Sequence, residues 1–175
     1  MPFTSAPGTF HGVTSQWLIS HTTFSGSIVN AGTIGAGGIV VISSTFTSGN
    51  IEPGTVLGGI HIDSSSKIFA SSSTVIAVEG STFGGGITNA GTLLAGPVND
   101  GVHVLEVSTF SGGITNSGQI MASAGDGIAV NSSVGVFTGS GPAGGIANSG
   151  TIAAGRDGIV VGAGPPAAVS CPARR

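Results

Sequence analysis

The sequence predicts an all-β protein, a right-handed parallel β-helix (β-solenoid) with three short strands per coil. Three observations predict it: a recurring frame of residues, an alternation of apolar side chains inside each copy, and turn residues at regular intervals. The frame is a Phe, then G-I-x-N-x-G-x-I-x-A, a loop, and G-I-x-V. It reads most clearly in "TFSGSIVNAGTIGAGGIVV" (Thr23 to Val41), "TFGGGITNAGTLLAGPVNDGVHV" (Thr82 to Val104), "TFSGGITNSGQIMASAGDGIAV" (Thr109 to Val130) and "FTGSGPAGGIANSGTIAAGRDGIVV" (Phe137 to Val161). Two looser units, Thr45 to Ile62 and Ser66 to Val78, fill the interval between the first and second. Repetition at a period of roughly 20 to 50 residues marks solenoids and propellers.

Within a copy the apolar residues fall two apart, as in Ile120 with Ala122 and Ile128 with Val130. That is the strand period, and no segment holds helical spacing over helical length. Gly, Asn, Ser and Asp interrupt every few residues, as corners require. A propeller blade needs a longer, more aromatic repeat, so stacked coils fit better. Coils stacked at about 4.8 Å place equivalent side chains in columns. Phe24, Phe83, Phe110 and Phe137 are expected to form one column, and Ile34, Ile68, Leu93, Ile120 and Ile152 another.

The corners come next. Asn30, Asn89, Asn116 and Asn148 each follow an inward Ile by two residues and precede a Gly by two. They are expected to form a structural column, because a short amide tolerates the bridge or left-handed backbone of a corner and stacked amides bond along the stack. Gly32, Gly91, Gly118 and Gly150 are expected to supply positive φ at the same corner. The organisation that follows is an N-terminal capping or irregular segment (1–22), a β-helical repeat domain (23–163) and a disordered Pro-rich tail (164–175).

Composition narrows the function. Of 175 residues, 33 are Gly, none is Tyr and only 6% are charged. Gly and Ser interleave with Ile, Val and Phe at fixed places, and the mean hydropathy is +0.48, which argues against a flexible linker or a charged disordered chain. Lys67, Arg156, Arg174 and Arg175 are the only Lys or Arg residues and the net charge is −3, so no basic stripe exists to meet phosphates and nucleic-acid partners are excluded. The lone Cys171 rules out an internal disulfide. No run approaches the length of a membrane helix, and the first residues lack the basic and apolar regions of a secretory signal.

The G-I-x-N-x-G-x-I frame followed by G-I-x-V, over about residues 23 to 161, resembles the passenger repeats of bacterial autotransporter proteins. The resemblance implies a β-helical stalk displayed at the surface of a Gram-negative cell. The family's signal peptide and translocator barrel are not read in these residues, so it also implies a fragment of a longer exported protein, at the cell surface or extracellular.

Catalysis needs convergent acids, bases or metals, and the chain is poor in them. Three carboxylates recur in register: "NDGV", "GDGI" and "RDGI" place Asp100, Asp126 and Asp157 at one corner of successive coils. Asp-Gly is ordinary turn chemistry. The column is nevertheless the one candidate for a weak Ca²⁺ site, since a hard cation relieves carboxylate repulsion, and its spacing of about 5 Å is that of a retaining glycosidase. His61 and His103 are expected to point outward from different coils, out of zinc-ligand spacing. No G-x-S-x-G elbow occurs, and no cofactor is expected.

The strand after the Asn corner is more informative. With Ile68, Leu93, Ile120 and Ile152 inward, Phe69, Leu94, Met121 and Ala153 must point outward as an apolar stripe. Such a stripe marks a contact surface, unless a segment such as the Trp17 region folds over it. The function expected is a non-enzymatic structural or adhesive stalk that meets cell-surface partners, carbohydrate or copies of itself. The alternatives are a carbohydrate-active β-helix enzyme using the Asp corner and a self-assembling fibre former, since open coil ends present unpaired strand edges.

Overall fold

Short alternating runs can hold their backbone only if other runs pair with them on both sides, and this chain supplies those partners by repetition. The computed structural model describes residues 9–10, 16–21, 23–25, 27–30, 32–35, 37–47, 49–50, 56–57, 59–80, 82–139, 145–162 and 169–170. Every regular element among them is a strand, and the strands stack in parallel sheets: the protein is a parallel β-helix.

One coil shows the plan. It runs through Ile87–Asn89, Thr92–Ala95, Val102–Leu105 and Thr109–Gly112, and each strand belongs to a different sheet. We call these sheets A to D in that order; they contain seven, five, six and five strands. The β-helix is as expected, but the described coils use four strands where three were expected. The added strand is the segment that carries the frame's Phe, two to four residues long, which is too short for alternation to reveal. It is a strand because Phe83 pairs with Phe46 on one side and Phe110 on the other.

The two looser units also resolve differently. Thr45–Thr47 closes one coil in sheet D. Gly59–Ile62, Lys67–Ala70, Ile76–Glu79 and Thr82–Phe83 then form a single coil through sheets A to D. Between them Gly49–Asn50 and Val56–Leu57 pair antiparallel, outside the four sheets. The main chain of Phe46, a residue absent from the expected aromatic column, pairs in register with Phe24 on one side and Phe83 on the other; the side chains of Phe24 and Phe46 lie outside the described residues.

The interior is the sum of the inward columns. Sheet A contributes Ile28, Ile60, Ile87, Ile114 and Ile146; sheet B contributes Ile34, Ile68, Leu93 and Ile120, all essentially inaccessible. Burying each such side chain contributes roughly 2 kcal/mol. Phe83, Phe110 and Phe137 stack with ring centroids 5.1 Å apart at both steps, the offset that adjacent coils impose.

The stack extends before residue 23. Thr9–Phe10 pairs with Val29–Asn30 in sheet A, and Trp17–Ser20 pairs with Ile39–Ile42 in sheet C. Trp17 packs against the core from sheet C, so it does not cover the stripe on sheet B. Residues 1–8, 11–15 and 22 of the N-terminal segment lie outside the described residues. So does the tail, apart from Val169–Ser170, which pairs with Ile146–Ala147.

Of the two devices expected at the Asn corner, the amide ladder is present and the left-handed backbone is not. None of Asn30, Asn89, Asn116 and Asn148 has positive φ, and neither has Gly32, Gly91, Gly118 or Gly150. The amides point into the coil: Asn89 Nδ2 donates to Asn116 Oδ1 and Asn116 Nδ2 to Asn148 Oδ1, each at 2.7 Å. The glycines are there for closeness, since a Cβ on Gly118 would lie 2.1 Å from the Gly91 carbonyl oxygen. Positive φ is needed instead where sheet D returns to sheet A, as at Gly86 (φ 75°) and Gly113 (φ 69°).

Candidate functional site

Sheet B builds the outward apolar row. In Lys67–Ala70 and Gln119–Ala122 the second and fourth residues are buried and the first and third exposed, as alternation requires. Phe69, Leu94, Met121 and Ala153 lie in register on four successive coils. Phe69 is 40% exposed and Met121 38%, Leu94 is half-buried and Ala153 exposed. The parallel outward row on the same face is Lys67, Thr92, Gln119 and Thr151, with one charge among four. Covering Phe69 and Met121 with another surface would contribute roughly 1 kcal/mol each.

The Asp corner closes the turn from sheet B to sheet C. Asp100 Oδ1 accepts the main-chain N–H of Asp126 at 2.8 Å, and Asp126 Oδ1 accepts that of Asp157 at 3.0 Å. Each carboxylate therefore points along the stack at the backbone of the next coil, where it satisfies a donor that the corner would otherwise leave unpaired. His103 Nδ1 lies 3.2 Å from Asp100 Oδ2, and Arg156 Nε 3.8 Å from Asp126 Oδ1. Among the described residues no three or more His, Cys, Asp or Glu groups converge as ligands, so Asp100, Asp126 and Asp157 form a ladder and are not brought together around a point.

Comparison with known proteins finds no family model that matches this chain, no similar curated protein and no similar solved structure. The surface must therefore be read from its own chemistry.

Sheet C contains a feature that the reading of the repeat passed over. The residue between its two inward positions faces outward, and in successive coils it is Val40, Ala77, His103, Ala129 and Val160. Val40, Ala77 and Ala129 are at most 8% exposed, yet they stand outside the central core cluster. Each alanine sits between larger residues in its column. Leu18, in register with Val40, is 57% exposed at the head of the column. The signal was the x of G-I-x-V, which holds no acid, Lys or Arg in any copy.

Proposed function

We propose that this protein is a non-enzymatic β-helical stalk whose outward row on sheet B makes contact with other surfaces, including copies of itself. The observation that supports the reading is the register of Phe69, Leu94, Met121 and Ala153, which repeats an apolar group on four consecutive coils. Continuity matters because a scattered exposed apolar residue is normal, whereas a row of them offers a line of contact. The engagement of Asp100 and Asp126 with the backbone supports a structural use of the acidic corner. Display at the surface of a Gram-negative cell, as in autotransporter passengers, is the setting that the repeat frame suggests.

Sedimentation of the protein and of Met121→Asp tests the contact role. The parent is expected to self-associate at raised concentration and the variant to remain smaller; identical behaviour of the two would remove the row from consideration. The coding sequence on either side tests the setting, through a signal peptide upstream and a barrel of alternating strands downstream. The enzymatic alternative predicts polysaccharide cleavage that Asp126→Asn abolishes.

A further inference from the structure

Three corners of the same Asp-Gly sequence occupy consecutive coils, and stacking treats them unequally. The main-chain N–H of Gly101 donates to the Asp126 carbonyl oxygen at 3.0 Å, and that of Gly127 to the Asp157 carbonyl oxygen at 2.9 Å. The carboxylates of Asp100 and Asp126 are held by the next coil's N–H. Gly101 and Gly127 are buried, and a Cβ on either would lie 2.3 or 2.2 Å from an Ile Cγ2.

Asp157 and Gly158 differ on every count. Both are exposed. Among the described residues no donor meets the Asp157 carboxylate and no acceptor meets the Gly158 N–H. A Cβ on Gly158 would meet only Ile152 Cγ2, at 3.9 Å.

We propose that Asp157–Gly158 is a site of spontaneous backbone isomerisation through a succinimide, and that stacking shields the two earlier corners. The Gly158 nitrogen gives its proton to solvent and attacks Cγ of Asp157 in its carboxylic acid form. A C–N bond forms, the hydroxyl leaves with a proton as water, and a five-membered ring results. Water then adds to one of the two ring carbonyls. Opening at the former side-chain carbonyl restores Asp; opening at the main-chain carbonyl leaves isoaspartate, with Cβ in the main chain.

One water is lost and one regained, and nothing is oxidised. Closure requires the Gly158 nitrogen to swing toward Cγ, which a residue without a side chain permits. At the two buried corners the same motion must first break a hydrogen bond to the glycine N–H and another to the carboxylate, and open the coil. Isoaspartate at residue 157 adds a main-chain atom just before strand Ile159–Val161, so its effect on register falls on that coil.

The test is to incubate the whole chain at neutral pH for weeks and map isoaspartate by digestion and fragmentation mass spectrometry. In the folded protein, isoaspartate at residue 157 is expected on the order of tenfold above residues 100 and 126. In denaturing urea the three corners should react alike. Gly158→Ala, whose methyl group has room, should lower the yield at residue 157 several-fold without moving the urea midpoint. Equal yields at the three corners of the folded protein, or an unchanged yield in Gly158→Ala, would overturn the proposal.

Discussion

Asn89 and Asn116 face each other across adjacent coils, with Asn89 Nδ2 donating to Asn116 Oδ1 at 2.7 Å, and both side chains are essentially inaccessible. Asn116 also donates to Asn148 and to the Gly118 carbonyl, so it is the middle of a buried amide ladder. Replacing it by Ala leaves its neighbours with polar atoms in an apolar interior. Asn116→Ala is expected to lower stability by about 2–4 kcal/mol in urea unfolding. The outward neighbour Thr115→Ala should change little; if the two variants unfolded alike, the ladder would have no special weight.

The ladder is interrupted at one coil. Ile62 stands in register between Asn30 and Asn89, and it is buried. An amide there would face another amide on each side, and two new hydrogen bonds of about 1 kcal/mol each would offset most of the lost apolar burial. Ile62→Asn is expected to lie within about 1 kcal/mol of the parent, whereas Ile62→Ala should lose about 2–4 kcal/mol. Differential scanning calorimetry of both variants decides; a larger loss for Asn than for Ala would contradict the ladder's continuity.

Gly118 tests the tightness of the same corner. A Cβ there would meet the Gly91 carbonyl oxygen at 2.1 Å and the Ala90 carbonyl carbon at 2.6 Å, both backbone atoms that a rotamer change cannot move. Gly118→Ala is expected to lose roughly 2–4 kcal/mol in chemical denaturation. Tolerance within experimental error would mean that the coils can separate locally at little cost.

Asp63 gives the pH dependence a definite sign. Its Oδ1 accepts the Ser65 main-chain N–H at 2.8 Å and the Ser65 hydroxyl at 2.7 Å, and these hydrogen bonds, the backbone one foremost, hold its pKa below the ordinary carboxylate value. A carboxylate whose folded pKa is depressed adds stability above its unfolded pKa and loses it as pH falls through the folded one. The stability advantage of the parent over Asp63→Ala, measured by urea unfolding across a pH series, should be full near neutrality and shrink through the acid range. An advantage that grew on acidification would refute the assignment.

The repeat made the β-helix, the inward Ile and Phe columns and the outward position of Phe69 and Met121 legible, because alternation inside a strand decides which residue faces the core. It did not reveal sheet D, since a two-residue Thr-Phe run has no alternation to read. Ile62 misled in another way: it stands where the frame has Asn, and the paired strands Gly49–Asn50 and Val56–Leu57 separate its strand from Thr45–Thr47, so the coil was not read as one unit. The Asp corner was legible as a column, but the direction of its carboxylates depends on which main-chain N–H the next coil leaves open. That is a property of the stack and of no single copy.

The ladder hydrogen bonds run along the solenoid axis, and this gives the molecule a mechanical character. Twenty-seven residues separate Ile87 from its partner Ile114, yet strand spacing advances the stack by only about 4.8 Å. Tension along the axis would pull on one inter-coil seam at a time. A coil that peeled away would release chain able to extend by about 90 Å, its twenty-seven residues at full stretch. Under load, the structure is a spool that yields length one coil at a time.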